Sequence, residues 1–214
     1  MKLAEHVNKL LAVKTPEFSK LLLIRSGESL ANAAGMLCGW MDPKLTQEGN
    51  NQAEDLSEVI YPQRRAFKTI GTSDLQRCLK FADRTLNYDG IIGERLLRMD
   101  PRLREINFGD QDWVNYDLLS DKDKEEINSF KYKAPNGESW ADVNSRFKAY
   151  LNELDQSESH CVFTHGGTIR SLTYHMGIEE YIPPASVVGV LYSKKEPANS
   201  KVLFYWVYDY NEIL

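Results

Sequence analysis

The chain has 214 residues, a formal net charge of −5 and a pI near 5.5, a length that suits one large domain with a buried core and leaves too little for two. The acidic balance argues against a general nucleic-acid binder or membrane-surface protein. Cys38, Cys78 and Cys161 lie far apart without metal-ligand spacing, which argues against a disulfide framework and for a reducing, cytoplasmic setting.

In chain order, Leu3, Val7, Leu10 and Leu11 recur at helical spacing, so residues 1–20 read as an N-terminal helical extension ahead of a domain spanning 21–214. This stretch lacks the apolar run of a secretory signal or membrane anchor. Leu21–Ile24 is a continuous apolar run that ends in Arg25-Ser26-Gly27-Glu28, as a buried strand would. Thr46–Ile60 reads as a helix with Thr46 as its N-cap and Ala53, Leu56 and Ile60 on its apolar stripe. Lys68–Gly71 is a short strand, after which Thr72 or Ser73 is expected to cap a helix carrying Leu75, Cys78, Leu79 and Ala82.

Residues 110–139 break this alternation. They are polar and rich in aromatic residues, including Trp113, Tyr116 and Tyr132, and read as a lid insertion over the carboxyl edge of the sheet. Their run Asp121–Glu126 is a solvated helix face. Beyond it come a helix over Glu138–Leu154, a strand over His160–Thr164, a helix over Gly167–Met176 and an aromatic final strand over Leu203–Tyr208. Such alternation predicts an α/β fold with a mostly parallel central sheet and helices on both faces. The N-terminal helix and the final strand are candidate interface elements for a homo-oligomer.

Two predicted strand-to-helix junctions carry chemistry, Arg25-Ser26-Gly27 and His165-Gly166-Gly167. Each sets a polar side chain at a strand end, followed by glycine that lets the backbone approach a ligand. Exposed N–H groups at a helix start favour anions. Together with Arg25 and His165 they suggest a phosphate pocket. By themselves, Arg77 reads as a solvated helix residue, Glu105 as half of a surface ion pair and His165 as a packed histidine.

The order of motifs changes those readings. Arg25-Ser26-Gly27-Glu28 with Asn32, the stretch Gly39-Trp40-Met41-Asp42 through Leu45-Thr46 to Gly49, Ser73 through Arg77, Leu103-Arg104-Glu105 with Gly109, Asn136-Gly137-Glu138-Ser139 with Asp142 and Arg146, and Thr164-His165-Gly166-Gly167 follow one another from about Leu21 to Ile182. This series resembles the histidine phosphatase (phosphoglycerate mutase-like) superfamily. The resemblance implies phosphoryl transfer on a small phosphorylated molecule, without metal or other cofactor. It implies Arg25, Arg77, His165, Gly166 and Asn32 as phosphate-binding residues and Glu105 as proton donor to the leaving alcohol. His6, His160 and His175 match no catalytic position.

The family's nucleophilic histidine falls at Ser26. Neutral imidazole offers a lone pair near neutral pH, whereas serine keeps its proton and forms a stable ester. Loss of a covalent nucleophile costs on the order of 10⁶ in rate. Three readings follow: a phosphatase, inactive or severely impaired for want of its nucleophile; a natural pseudo-phosphatase acting as a phospholigand-binding or interaction module; and, ranked last, Ser26 as nucleophile with His165 as base. A phosphatase of small phosphomonoesters is expected ahead of a phosphoglycerate-mutase-like phosphotransferase, because no further mutase-type substrate segments can be identified.

Overall fold

The computed structural model describes residues 1–86 and 97–213. Its elements are α1 (Leu3–Ala12), β1 (Ser19–Arg25), α2 (Leu30–Ala33), α3 (Gln47–Gln63), β2 (Thr69–Thr72), α4 (Gln76–Thr85), β3 (Leu97–Met99), α5 (Asp121–Asn128), α6 (Trp140–Glu153), β4 (Ser159–Thr164), α7 (Gly166–Thr173), β5 (Val187–Tyr192) and β6 (Lys201–Trp206). The strands form one sheet in the order β3-β2-β4-β1-β5-β6. The first four are parallel; β5 runs antiparallel to both β1 and β6.

Alternation along β1 divides the core between the two faces of the sheet. Leu22 and Ile24 pack with Leu3, Val7 and Leu10 of α1, Leu56 and Ile60 of α3, and Phe81 of α4. Leu21 and Leu23 pack with Phe147 and Leu151 of α6 and Ile169 and Leu172 of α7. Helices therefore cover both faces, as the sequence pattern leads one to expect. A third cluster joins Ile127 and Tyr132, from within residues 110–139, to Leu37, Ile106, Phe108 and Trp140. Among the described residues no helix is long and apolar enough to cross a membrane.

Element types agree with the sequence reading, and boundaries shift by a few residues. Helix α3 starts after Thr46, whose hydroxyl accepts Gly49 N–H at 2.9 Å. Helix α6 starts after Ser139, which forms a reciprocal capping box with Asp142. Helix α7 begins at Gly166 and tightens into a 3₁₀ turn over Tyr174–Met176. The final strand is Lys201–Trp206, earlier than the aromatic run suggests.

One cap is corrected. Neither Thr72 nor Ser73 caps α4; the N-cap position is Leu75, with no side-chain bond of its own. Asp42, from a distant loop, accepts Arg77 N–H at 3.2 Å and also accepts Gln76 N–H. Two strands give no usable sequence signal, β3 because it has only three residues and β5 because its apolar run is buried throughout and lacks alternation.

Candidate active site

Strand register brings the two glycine-bearing junctions together. Arg25 pairs with Thr164 across parallel β1 and β4, so the next residues, Ser26 and His165, leave neighbouring strands side by side at their carboxyl ends. Ser26 N–H donates to Thr164 O at 2.9 Å. On the other side of β4, Thr72 pairs with Phe163, which delivers the segment leading to Arg77 to the same edge. Open α/β sheets place ligand sites at this edge.

Arg25, Ser26, Arg77 and His165 are all buried here, with exposures of 7%, 4%, 4% and 3%. Arg25 donates through Nη1 to Ile182 O, and its guanidinium carbon lies 4.7 Å from the centre of the Tyr181 ring. Arg77 donates through Nη1 to Met41 O at 2.8 Å and through Nη2 to Gly39 O at 2.7 Å, and forms an ion pair with Asp42 at 3.4 Å. The Gly39–Asp42 loop thus seats Arg77 on α4. Asp112, from the lid, shapes that loop by accepting the N–H groups of Gly39, Trp40 and Met41 at 2.7, 3.0 and 3.0 Å.

His165 Nε2 is buried and has no hydrogen-bond partner among the described residues. Burial first, then the charges of Arg77, Arg25 and Arg146, hold His165 well below the usual histidine range, so the ring is neutral at neutral pH. An unfolded histidine takes up a proton below about pH 6.5 that the folded ring refuses, so His165 costs stability as pH falls from there. Urea denaturation at about pH 7.5 and about pH 5.5 measures this. The native chain loses stability on acidification, and His165→Gln loses roughly 1.4 kcal/mol less, the worth of one proton over one pH unit. An unchanged pH dependence in that variant contradicts a neutral His165.

Glu105 faces an adjoining cavity of about 670 Å³, which Arg25, Asn32, Gly166 and Gly167 also line. Its Oε1 accepts Ile106 N–H at 2.9 Å and its Oε2 accepts Gly167 N–H at 2.9 Å. A Cβ at position 167 would collide with Oε1, so glycine is what lets α7 approach the carboxylate. Asn32 spends its Oδ1 on Ser29 N–H at 3.0 Å in a capping box, which leaves its amide nitrogen as the available donor. The structure therefore groups Arg25, Asn32, Glu105 and Gly166 on the cavity, while Ser26, Arg77 and His165 form a buried set beside it.

Arg146 has a larger part than its motif suggests. Its guanidinium pairs with Glu138 (Nε to Oε1 2.8 Å, Nη2 to Oε2 3.0 Å) and also donates to the carbonyls of Arg102, Arg104 and Glu105 at 2.8, 2.6 and 2.9 Å. That set fixes the backbone that presents Glu105. Of the lid aromatics, Tyr116 lines the cavity, Tyr132 is buried in the lid core, and Trp113 is 42% exposed in a left-handed conformation at φ 74°.

The profile of the histidine phosphatase superfamily (branch 1) matches residues 21–198 of the chain. The chain is 31% identical to the 2,3-bisphosphoglycerate-dependent phosphoglycerate mutase of Bartonella henselae, over 71% of this chain and 78% of the relative. Against the enzyme of the same name from Azorhizobium caulinodans it is 28% identical, over 86% and 90%. The crystal structure of phosphoglycerate mutase from Thermus thermophilus superposes with a TM-score of 0.68 at 31% identity, covering 89% of this chain and 99% of that one. A mycobacterial glucosyl-3-phosphoglycerate phosphatase shares the fold, with a TM-score of 0.74 at 20% identity over 88% of this chain and 99% of that one.

Proposed function

The chain belongs to the histidine phosphatase superfamily, and from that premise we propose that its strand-end cluster binds the phosphoryl group of a small-molecule phosphomonoester. Arg25, Arg77, His165, the Gly166 N–H and the Asn32 amide are the donors to the phosphoryl oxygens. Phosphate entry exchanges the carbonyls that both arginines now hold for phosphoryl oxygens, which are stronger acceptors for a guanidinium fork. Neutral His165 donates to an oxygen whose charge grows during transfer, with the nearby guanidinium groups supplying electrostatic stabilisation. Glu105 lies where the leaving alcohol departs and donates its proton.

Ser26 occupies the point of attack, so hydrolysis by the native chain is severely impaired while binding persists. The observation that carries this reading is the orphaned His165 Nε2, buried at the strand ends beside Ser26, where the charges of Arg77 and Arg25 disfavour a second proton on the ring. Orphaned buried polar atoms are uncommon in folded proteins, and an absent ligand is one reason for them. A second reading, supported by the mutase names of the relatives, is a phosphoglycerate-mutase-like phosphotransferase. The same residues also suit a pseudo-phosphatase that binds a phospholigand without turnover.

Isothermal titration of the native chain with inorganic phosphate tests the pocket. Binding is expected, and Arg25→Met weakens it at least tenfold, the loss of one charge-assisted partner. Absence of phosphate binding to the native chain overturns the proposal.

A further inference from the structure

Tyr181 belongs to none of the sequence motifs, yet its ring centre lies 4.7 Å from the guanidinium carbon of Arg25, and both residues line the cavity. Their burial is opposite. Arg25 is 7% exposed and Tyr181 is 62% exposed, so the contact covers the arginine and buries little of the ring. Burial of apolar ring surface therefore does not account for it. The start of α7 also lies against the guanidinium: a Cβ at Gly166 would stand 2.9 Å from Arg25 Nη1 and 3.2 Å from Cζ.

The backbone that carries Tyr181 is fixed on both sides. Arg170 Nε donates to Glu179 O at 2.7 Å, while the following Ile182 is buried and accepts from Arg25 Nη1. Ala185, at φ 58°, sits in the left-handed region that side chains avoid, and its N–H donates to Ser26 O at 3.2 Å. The segment is thus tied to the strand end that carries Arg25 and Ser26. Glu179 and Glu180 precede Tyr181 and line the cavity, but among the described residues Arg25 forms no ion pair. A carboxylate would occupy the N–H donors of the guanidinium. A ring face attracts the charge and leaves those donors, which lie in the guanidinium plane, open to another acceptor.

We propose that Tyr181 is a positioning residue for Arg25. Its ring fixes the orientation in which the guanidinium presents N–H donors to the phosphoryl group. It also keeps water off the charge, which strengthens the bonds those donors make. This rests on the phosphate pocket proposed above.

Calorimetric titration with inorganic phosphate of the native chain, Tyr181→Phe and Tyr181→Leu is the test, at a position exposed enough for all three to fold. Tyr181→Phe keeps the ring face and is expected to bind phosphate as the native chain does. Tyr181→Leu removes that face and is expected to weaken binding at least threefold and up to about thirtyfold, the range of a partly to fully desolvated cation–π contact. In the Arg25→Met chain the same Tyr181→Leu change is expected to have no further effect. A loss below threefold in Tyr181→Leu overturns the proposal, as does an equal loss in Tyr181→Phe, which would assign the effect to the hydroxyl. An undiminished loss in the Arg25→Met chain overturns it too, since the ring would then act without Arg25. The native chain separates the two failures. If it binds phosphate and Tyr181→Leu binds equally, only the Tyr181 assignment is lost; if it does not bind, the pocket is lost and the assignment with it.

Discussion

Ser26→His raises the turnover of p-nitrophenyl phosphate by at least ~10³-fold, and by up to the order of 10⁶ if the rest of the pocket is fully competent. The parallel register sets residue 26 beside His165, in a site whose charged donors are already in place. Histidine at that position supplies what serine lacks, an unprotonated ring nitrogen at neutral pH that can attack phosphorus and leave again. The covalent intermediate is then a phosphoramidate, labile in acid, which quenching during turnover and mapping of the phosphorylated peptide detects. Unchanged turnover in a folded Ser26→His rules out position 26 as the point of attack. An acid-stable phosphoserine on the native chain instead favours Ser26 as a nucleophile in its own right.

Arg146→Met is expected to cost about 3–5 kcal/mol, a fall of roughly 10 °C in the thermal midpoint. Its guanidinium is the shared partner of Glu138 and of the carbonyls of Arg102, Arg104 and Glu105. Glu138 retains only its bond from Asn107 N–H, at 2.9 Å, once Arg146 is gone. The pair is largely buried, at 15% and 19% side-chain exposure, so solvent does little to compensate the orphaned carboxylate. Removing both partners as Glu138→Met with Arg146→Met recovers part of the loss, because no unpaired charge is left behind. In the Ser26→His background, Arg146→Met is expected to lower kcat more than it raises KM, since the disturbed backbone carries Glu105, the proposed proton donor, and not the arginines proposed to hold the phosphoryl group. Melting curves and steady-state kinetics on these variants decide the matter; a midpoint within a degree of the native value means that Arg146 is not the anchor of that segment.

Much of this architecture was legible along the chain, since it is local. The apolar run of β1, the Thr46 and Ser139 caps and the stripe on α1 each depend on residues within a few positions of one another, and hydrophobic periodicity reports them directly. The order of the motifs likewise carried the family, and with it the residues expected around a phosphoryl group. Strand β5 was not legible, because a strand buried on both faces has no alternation to read. Nor was the α4 cap, which comes from Asp42, more than thirty positions away in the sequence.

By itself, then, the sequence determined the α/β class, the helical faces and the set of side chains available for phosphate chemistry. Tertiary structure alone decided how they are deployed. It put Ser26 beside His165 through a strand register, turned Arg77 onto the Gly39–Asp42 loop and made Arg146 the anchor of the Glu105 segment. These facts depend on contacts between residues tens of positions apart. Local propensity cannot encode such contacts; they are fixed only when the two faces of the sheet bury their apolar surface and bring the strand ends to one edge.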